Sequence, residues 1–159
     1  MKRMMFSILL CTAFMSSHAQ KVSSISEEKL ASLLEQDNDT LYVINFWATW
    51  CSPCVTEIGY FEELHIAFKN QKLKVILINL DFPNQIEKRV LPFIKEKNLT
   101  AEVLNMTSMD YNSWIPIVDP DWSGAIPATL IFKSNSKKFI SRELSKKELF
   151  EEVDKILKI

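Results

Sequence analysis

The sequence predicts an α/β domain built on a mixed β-sheet with helices on both faces. Two near-continuous apolar runs, residues 41–46 and 73–80, are rich in β-branched and aromatic residues and read as buried strands. The stretches around them carry apolar residues at helical spacing. The resulting order, β-α-β-α followed by β-β-α, implies a parallel crossover and an antiparallel hairpin in one sheet. A length of 159 residues, 47% hydrophobic and 25% charged, is globular composition. It supports one core of ordinary size rather than two.

The N-terminus is set apart. Lys2 and Arg3 precede an apolar run from Met4 to Met15, and Ser17-His18-Ala19 places small residues at the positions a signal peptidase reads. That run is shorter than the roughly 20 residues a helix needs to cross a bilayer. Residues 1–19 are therefore read as a signal peptide cleaved after Ala19, with an uncleaved membrane anchor as the alternative. Ile8-Leu9-Leu10 lacks the small residues that precede a lipid-modified cysteine at Cys11. Cleavage removes Cys11 and His18, leaving Cys51, Cys54 and His65. Export implies an oxidising compartment, where disulfides persist.

Residues 20–159 form the domain, undivided by any repeat or linker. Residues 26–36 read as a helix, with Leu30, Leu33 and Leu34 on one side. Strand 41–46 hands over to a helix at 51–69, on which Glu57, Phe61, Leu64 and Phe68 share a stripe. After strand 73–80, residues 85–97 are helical, and Pro92 predicts a kink or break. Residues 101–104 suit a short edge strand. The stretch 105–124, with Trp114, Pro116, Pro120 and Trp122, reads as an irregular, packed surface loop; lining a substrate groove is its other reading. Strands 128–132 and 138–141 turn at Ser134-Asn135-Ser136. Ser145-Lys-Lys-Glu148 is a capping box that opens a last helix on Leu149, Val153 and Ile156.

Composition excludes several functions. A net charge of −1 offers no electrostatic footprint for nucleic acid. The two glycines, Gly59 and Gly124, are too few for a G-x-G-x-x-G loop and too far apart for a P-loop phosphate cradle.

The chemistry concentrates at Trp50-Cys51-Ser52-Pro53-Cys54, where a buried strand passes into a helix. Spacing of i, i+3 on a helical turn brings two cysteines within disulfide range. Unpaired N–H groups and the dipole at a helix start favour a thiolate, and cysteines so placed have pKa values of roughly 3.5–7.5 against about 8.5 for a free thiol. Pro53 suits the first turn, where its missing N–H costs little. Cys51 is thus the expected exposed nucleophile, and Cys54, more buried, resolves the mixed disulfide. A purely structural bridge more often closes a longer loop. A zinc site needs about four ligands, more than two cysteines and His65 supply, so no metal is expected. His65 reads as a helix-surface histidine.

The string Val43-Ile-Asn-Phe-Trp-Ala-Thr-Trp-Cys-Ser-Pro-Cys54, with Gly124-Ala-Ile-Pro-Ala-Thr-Leu130, closely resembles the thioredoxin superfamily. Within it, the similarity is to exported TlpA/ResA-like thiol–disulfide oxidoreductases, over roughly residues 26–159. The resemblance implies a thioredoxin-like three-layer sandwich and protein-disulfide oxidoreductase activity with Cys51 and Cys54 as the redox pair. It makes Pro127 a cis-proline facing the CxxC and presents the Ile126 backbone to the substrate. Trp50, Ser52 and Pro53 complete the expected substrate-binding surface, while Trp47 belongs to the core. Glu57 matches a glutamate implicated in proton exchange with the cysteines, and burial would raise its pKa. Asn45 stands where many thioredoxins carry a buried aspartate.

The chain departs from the family at Gly59, where relatives often have proline, and at Ala125, where glycine is common. No prosthetic group is implied beyond the Cys51–Cys54 disulfide. The expected partners are protein disulfide or dithiol substrates and a membrane-embedded thiol reductase as electron donor, for a monomer in the bacterial periplasm. A disulfide oxidase or isomerase, or a non-catalytic binding module of the same fold, would use the same residues. A peroxidase of the related peroxiredoxin group would place its nucleophilic cysteine in a different context.

Overall fold

The computed structural model describes residues 22–158; the signal-peptide reading of residues 1–19 lies outside them. Six strands form one sheet: β1 (Ser23–Ile25), β2 (Leu41–Trp47), β3 (Leu73–Asn79), β4 (Glu102–Met106), β5 (Ala128–Lys133) and β6 (Ser136–Ile140). Their spatial order is β1-β4-β3-β2-β5-β6. β1, β4, β3 and β2 run parallel to one another, and β5 and β6 are antiparallel additions. The helices are α1 (Glu27–Leu34), α2 (Ser52–Ala67), α3 (Leu91–Glu96), α4 (Tyr111–Val118) and α5 (Lys146–Leu157).

All seven residues of β2 are buried, which is why its sequence lacks the alternation of a half-exposed strand. Alternate side chains still go to opposite faces. Val43 and Trp47 join a core with Ile58, Phe61 and Leu64 of α2, Ile94 of α3, and Leu149 and Val153 of α5. Tyr42, Ile44 and Phe46 join the second core with Leu30 of α1 and Trp114 and Val118 of α4. The result is three layers with the sheet in the middle.

Helix starts follow local chemistry. The Ser26 hydroxyl accepts from the Lys29 N–H, and Ser145 with Glu148 forms the expected capping box. The Ser145 N–H and hydroxyl hold the Glu148 carboxyl down to about 2. A 3-10 turn at Pro83–Gln85 leads into the predicted 85–97 helix, and within it a π turn at Ile86–Val90 precedes α3. Pro92 lies in the first turn of α3, where its lacking N–H breaks no interior bond.

Two sequence expectations are corrected. Residues 101–104 are not an edge strand: β4 runs from Glu102 to Met106 and lies between β3 and β1. The edge on that side, β1, is three residues long, too short to show a period. The stretch 105–124 is not wholly irregular either, since α4 lies inside it. Asp110 caps α4 by accepting from the Asn112 N–H, and Pro116 sits within the helix. That proline masked the helix in the sequence. Its anchor is tertiary: Trp114 is fully buried, its ring 6.0 Å from Phe46 and 5.6 Å from Trp122.

Candidate active site

β2 ends at Trp47, and four residues later the chain reaches Cys51, the N-cap of α2. The Cys51 N–H donates back to the Ala48 carbonyl at 3.2 Å, and the Val55 N–H donates to the Cys51 carbonyl at 3.0 Å. Cys51 and Cys54 are joined by a disulfide with their Cα atoms 5.3 Å apart. The Cys51 sulfur occupies the capping position, accepting from the Cys54 N–H at 3.3 Å. This backbone donor and the helix dipole aim partial positive charge at the sulfur that would carry a thiolate after reduction. Cys51 retains 6% exposure and Cys54 none. Cys51 is therefore the reachable sulfur, although it is less open than its expected exposed position, because the capping geometry folds it over the first helical turn. Pro53 lies in that turn, Ser52 is exposed, and Trp50 stands 60% exposed at the rim. Trp47 is fully buried, its ring 5.2 Å from Phe93.

Glu57 is one turn beyond Cys54 and completely buried. Its carboxylate accepts from the Asn45 side-chain amide at 2.9 Å and from the Leu144 N–H at 2.7 Å. Burial pushes its pKa up to about 7, against the opposing pull of the Leu144 and Asn45 hydrogen bonds. Three elements hold it. α2 carries the side chain, β2 supplies Asn45, and the capping box at the start of α5 fixes the turn that presents Leu144. Asn45 lies opposite Thr129 in the β2–β5 register and also donates to the Thr129 hydroxyl at 3.2 Å. The Asn45 side-chain oxygen, Oδ1, is buried without a partner. The side chain is thus oriented with its donor toward the carboxylate.

A second polar cluster braces the approach to Cys51, and the sequence reading did not anticipate it. Buried Asp81, just past β3, accepts from the Thr49 N–H at 2.8 Å, the Thr49 hydroxyl at 2.6 Å and the Asn79 amide at 2.8 Å. Asn105 on β4 donates to the Asp81 carbonyl at 2.9 Å. The Asp-after-strand position was visible in the sequence, but its partners come from three separate segments.

Pro127 immediately precedes β5, is buried, and follows a cis Ile126–Pro127 peptide bond. The loop before it is tied down by the Trp122 indole N–H, which donates to the Ala125 carbonyl at 2.8 Å. Gly124 adopts a φ of +84°, and a Cβ there would lie 2.8 Å from Ile115 Cδ1. Backbone freedom and close approach both call for glycine at this point. Gly59, by contrast, is exposed with open space around it. His65 is half-buried in the last turn of α2.

The assembled site can perform thiol–disulfide exchange. It pairs a reachable sulfur with a buried second sulfur one turn deeper, and places a protonatable carboxyl one turn beyond.

Comparison with known proteins agrees with this geometry. The chain is 30% identical over 95 residues to the thiol–disulfide oxidoreductase ResA of Oceanobacillus iheyensis, covering 60% of this chain and 45% of ResA. It is 33% identical over 94 residues to the thioredoxin-like protein YneN of Bacillus subtilis, covering 57% of this chain and 54% of YneN. The matched region thus spans about half the length of these relatives. Among solved structures, the thioredoxin-related protein of Neisseria meningitidis serogroup B superposes with a TM-score of 0.66 at 21% identity, covering 79% of this chain and 91% of that one. This likeness establishes a thioredoxin-like fold. Residues 17–137, most of the chain and all of the CxxC site, match the AhpC/TSA family, and the protein belongs to that family.

Proposed function

We propose that the protein is an exported thiol–disulfide oxidoreductase that reduces disulfides in client proteins through Cys51 and Cys54. The observation that carries this reading is the Cys51–Cys54 pair at the start of α2, with its graded accessibility of 6% and zero. In the reduced protein, the Cys51 thiolate attacks one sulfur of a client disulfide. A Cys51–client disulfide forms, and the other client sulfur leaves as a thiolate that takes up a proton. The Cys54 thiolate then attacks the Cys51 sulfur. The Cys51–Cys54 bond forms, and the second client sulfur leaves and is protonated. The client gains two electrons and two protons, and the protein is oxidised.

Glu57 is suited to accept the Cys54 proton, because a carboxyl titrating near 7 changes state easily at neutral pH. The Ile126 backbone, Trp50, Ser52 and Pro53 receive the client chain beside the disulfide. No prosthetic group takes part. A membrane-embedded thiol reductase restores the dithiol outside the cytoplasm, where residues 1–19 direct the chain.

The test is turnover of a protein disulfide such as insulin with wild type, Cys51→Ser and Cys54→Ser. The expected result is loss of turnover in both variants, with Cys54→Ser accumulating mixed disulfides on Cys51 and Cys51→Ser none. Unchanged turnover in both variants overturns the reading. A measured potential near the about −120 mV of a strong oxidant would replace reduction with oxidation as the direction.

A further inference from the structure

A chain of contacts runs from the protein surface to the buried Glu57 carboxylate. Glu57 Oε2 accepts from the Leu144 N–H at 2.7 Å. That N–H and the Glu143 carbonyl are the two ends of one planar peptide unit. The carbonyl accepts from Arg142 Nη1 at 2.9 Å. The same guanidinium turns its Nη2 to Glu148 Oε1 at 3.0 Å. Glu148 Oε2 in turn accepts from the Ser145 N–H at 3.0 Å and the Ser145 hydroxyl at 2.7 Å.

The peptide unit needs such a hold. Residues 141–144 belong to neither β6 nor α5, and Arg142 and Glu143 are exposed. The Leu144 side chain is buried and anchors the residue, but the peptide plane can still turn about the single bonds that flank it. Arg142 fixes the outer end of the plane, so the inner end points at Glu57. Hydrogen bonds in a chain also polarise one another, and a cation on the carbonyl makes the N–H a stronger donor. Arg142 and Glu148 are 59% and 43% exposed, and an exposed ion pair adds little stability. Its effect here is one of direction. The planar guanidinium presents its donors in a rigid fork, so Glu148, by taking one nitrogen, sets where the other points.

We propose that Arg142, aligned by Glu148, is a positioning residue for Glu57: the pair holds the Glu143–Leu144 peptide with its N–H on the carboxylate and keeps Glu57 ready to take the Cys54 proton during resolution. This rests on the oxidoreductase reading above and adds to it the surface pair that governs its base. In the transfer the Cys54 S–H bond breaks, its electron pair stays on sulfur, and the proton bonds to a Glu57 oxygen. Also facing Glu57 are Asn45 of β2, backed by Thr129 of β5, and Cys54 one turn back on α2. Glu143 is a neighbouring charge that opposes ionisation. Glu148 is held down to about 2, so the clamp stays charged wherever Glu57 titrates.

The test follows the Glu57 carboxyl by carboxyl-carbon NMR across pH in the oxidised protein, whose joined cysteines do not titrate. It compares wild type, Arg142→Met, Glu148→Ala and Glu151→Ala. Losing the Leu144 donor disfavours the ionised form, so Arg142→Met should raise the Glu57 midpoint by about one pH unit and Glu148→Ala by about half a unit. Removal of the Glu148 charge alone would lower the midpoint, because a negative neighbour disfavours ionisation. An upward shift therefore reports position rather than charge. Glu151→Ala removes the same charge from α5 without touching the loop, since Glu151 pairs with Lys147, and should not raise the midpoint. In the reduced protein, a shift of about one unit should slow resolution in Arg142→Met about fivefold at about pH 7 and by less than about twofold at about pH 9. A general weakening of the fold would slow it at both. An unchanged or lowered midpoint in Glu148→Ala overturns the inference, as does an equal upward shift in Glu151→Ala. Wild type that cannot reduce insulin overturns the oxidoreductase reading and this inference with it, and the titration, which needs no turnover, tells the two failures apart.

Discussion

The Asn45 amide donates to the buried Glu57 carboxylate at 2.9 Å, joining the central strand to the helix that carries both cysteines. The carboxyl is pushed up to about 7 by burial, while this bond and the Leu144 N–H favour the ionised form. Resolution of a mixed disulfide by Cys54 should therefore accelerate as pH rises through about 7, when Glu57 becomes a competent base. Glu57→Gln should remove that inflection and slow the step by about 100-fold, a usual general-base contribution. Asn45→Leu, which deletes a donor to the carboxylate, should move the inflection upward. Stopped-flow tryptophan fluorescence across pH reads all three; an inflection that persists in Glu57→Gln assigns it to the thiols instead.

Stability should show the same carboxyl with a definite sign. The ordinary value of 4.5 is raised to about 7 in the fold, so between these values the native state binds more protons than the unfolded chain. Stability then falls as pH rises from about 4.5 to about 7 and levels off above. The full change is of order 3 kcal/mol, at about 1.4 kcal/mol for each unit. Denaturant unfolding of the oxidised protein at a series of pH values should show this decline, and Glu57→Gln should lack it. A parallel profile in both proteins would show that Glu57 is not the titrating group.

Legibility of this site in the sequence followed the reach of the interactions. The CxxC, its helix start, the capping box and the buried central strands depend on residues close in sequence, and each could be read from spacing. Glu57 was legible as a position one turn beyond Cys54. Its environment was not, because Asn45, Leu144 and Thr129 arrive through sheet register and a distant helix start. α4 was hidden for a similar reason. Pro116 argues locally against a helix, and what holds the segment is Trp114 against Phe46, a contact between residues far apart in the chain. β1 is so short that only its pairing with β4 defines it.

Gly124 should resist replacement. Alanine at a φ of +84° meets the left-handed penalty, and its Cβ would press on Ile115 Cδ1 at 2.8 Å. Gly124→Ala should cost roughly 1–2 kcal/mol from the backbone alone, with a further loss from the contact. Adding Ile115→Ala should relieve only the contact, since the backbone penalty belongs to residue 124. Chemical denaturation of the single and double variants checks this as a coupling between two touching residues. Additivity within a few tenths of a kcal/mol would show that the two do not press on one another.

Asp81 lies outside the CxxC, yet it should influence Cys51. Its carboxylate takes the Thr49 N–H and hydroxyl and the Asn79 amide, so it holds the turn from which the chain enters α2. Asp81→Ala leaves a buried amide and a backbone N–H without acceptors, at a cost of about 1–3 kcal/mol for each group left unpaired. Asp81→Asn retains an acceptor but loses the charge, and should cost less. The functional consequence follows from position: Thr49 is two residues before Cys51, and loosening it frees the Ala48–Cys51 turn that seats the sulfur over the helix start. The Cys51 thiolate should then lose part of its alignment with the Cys54 N–H, and its pKa should rise. Alkylation of the reduced protein by iodoacetamide as a function of pH measures that shift directly. An unchanged Cys51 profile in a destabilised Asp81→Ala protein would confine the cluster to a structural role, and a raised midpoint that Asp81→Asn partly restores would establish that the brace reaches the reacting sulfur.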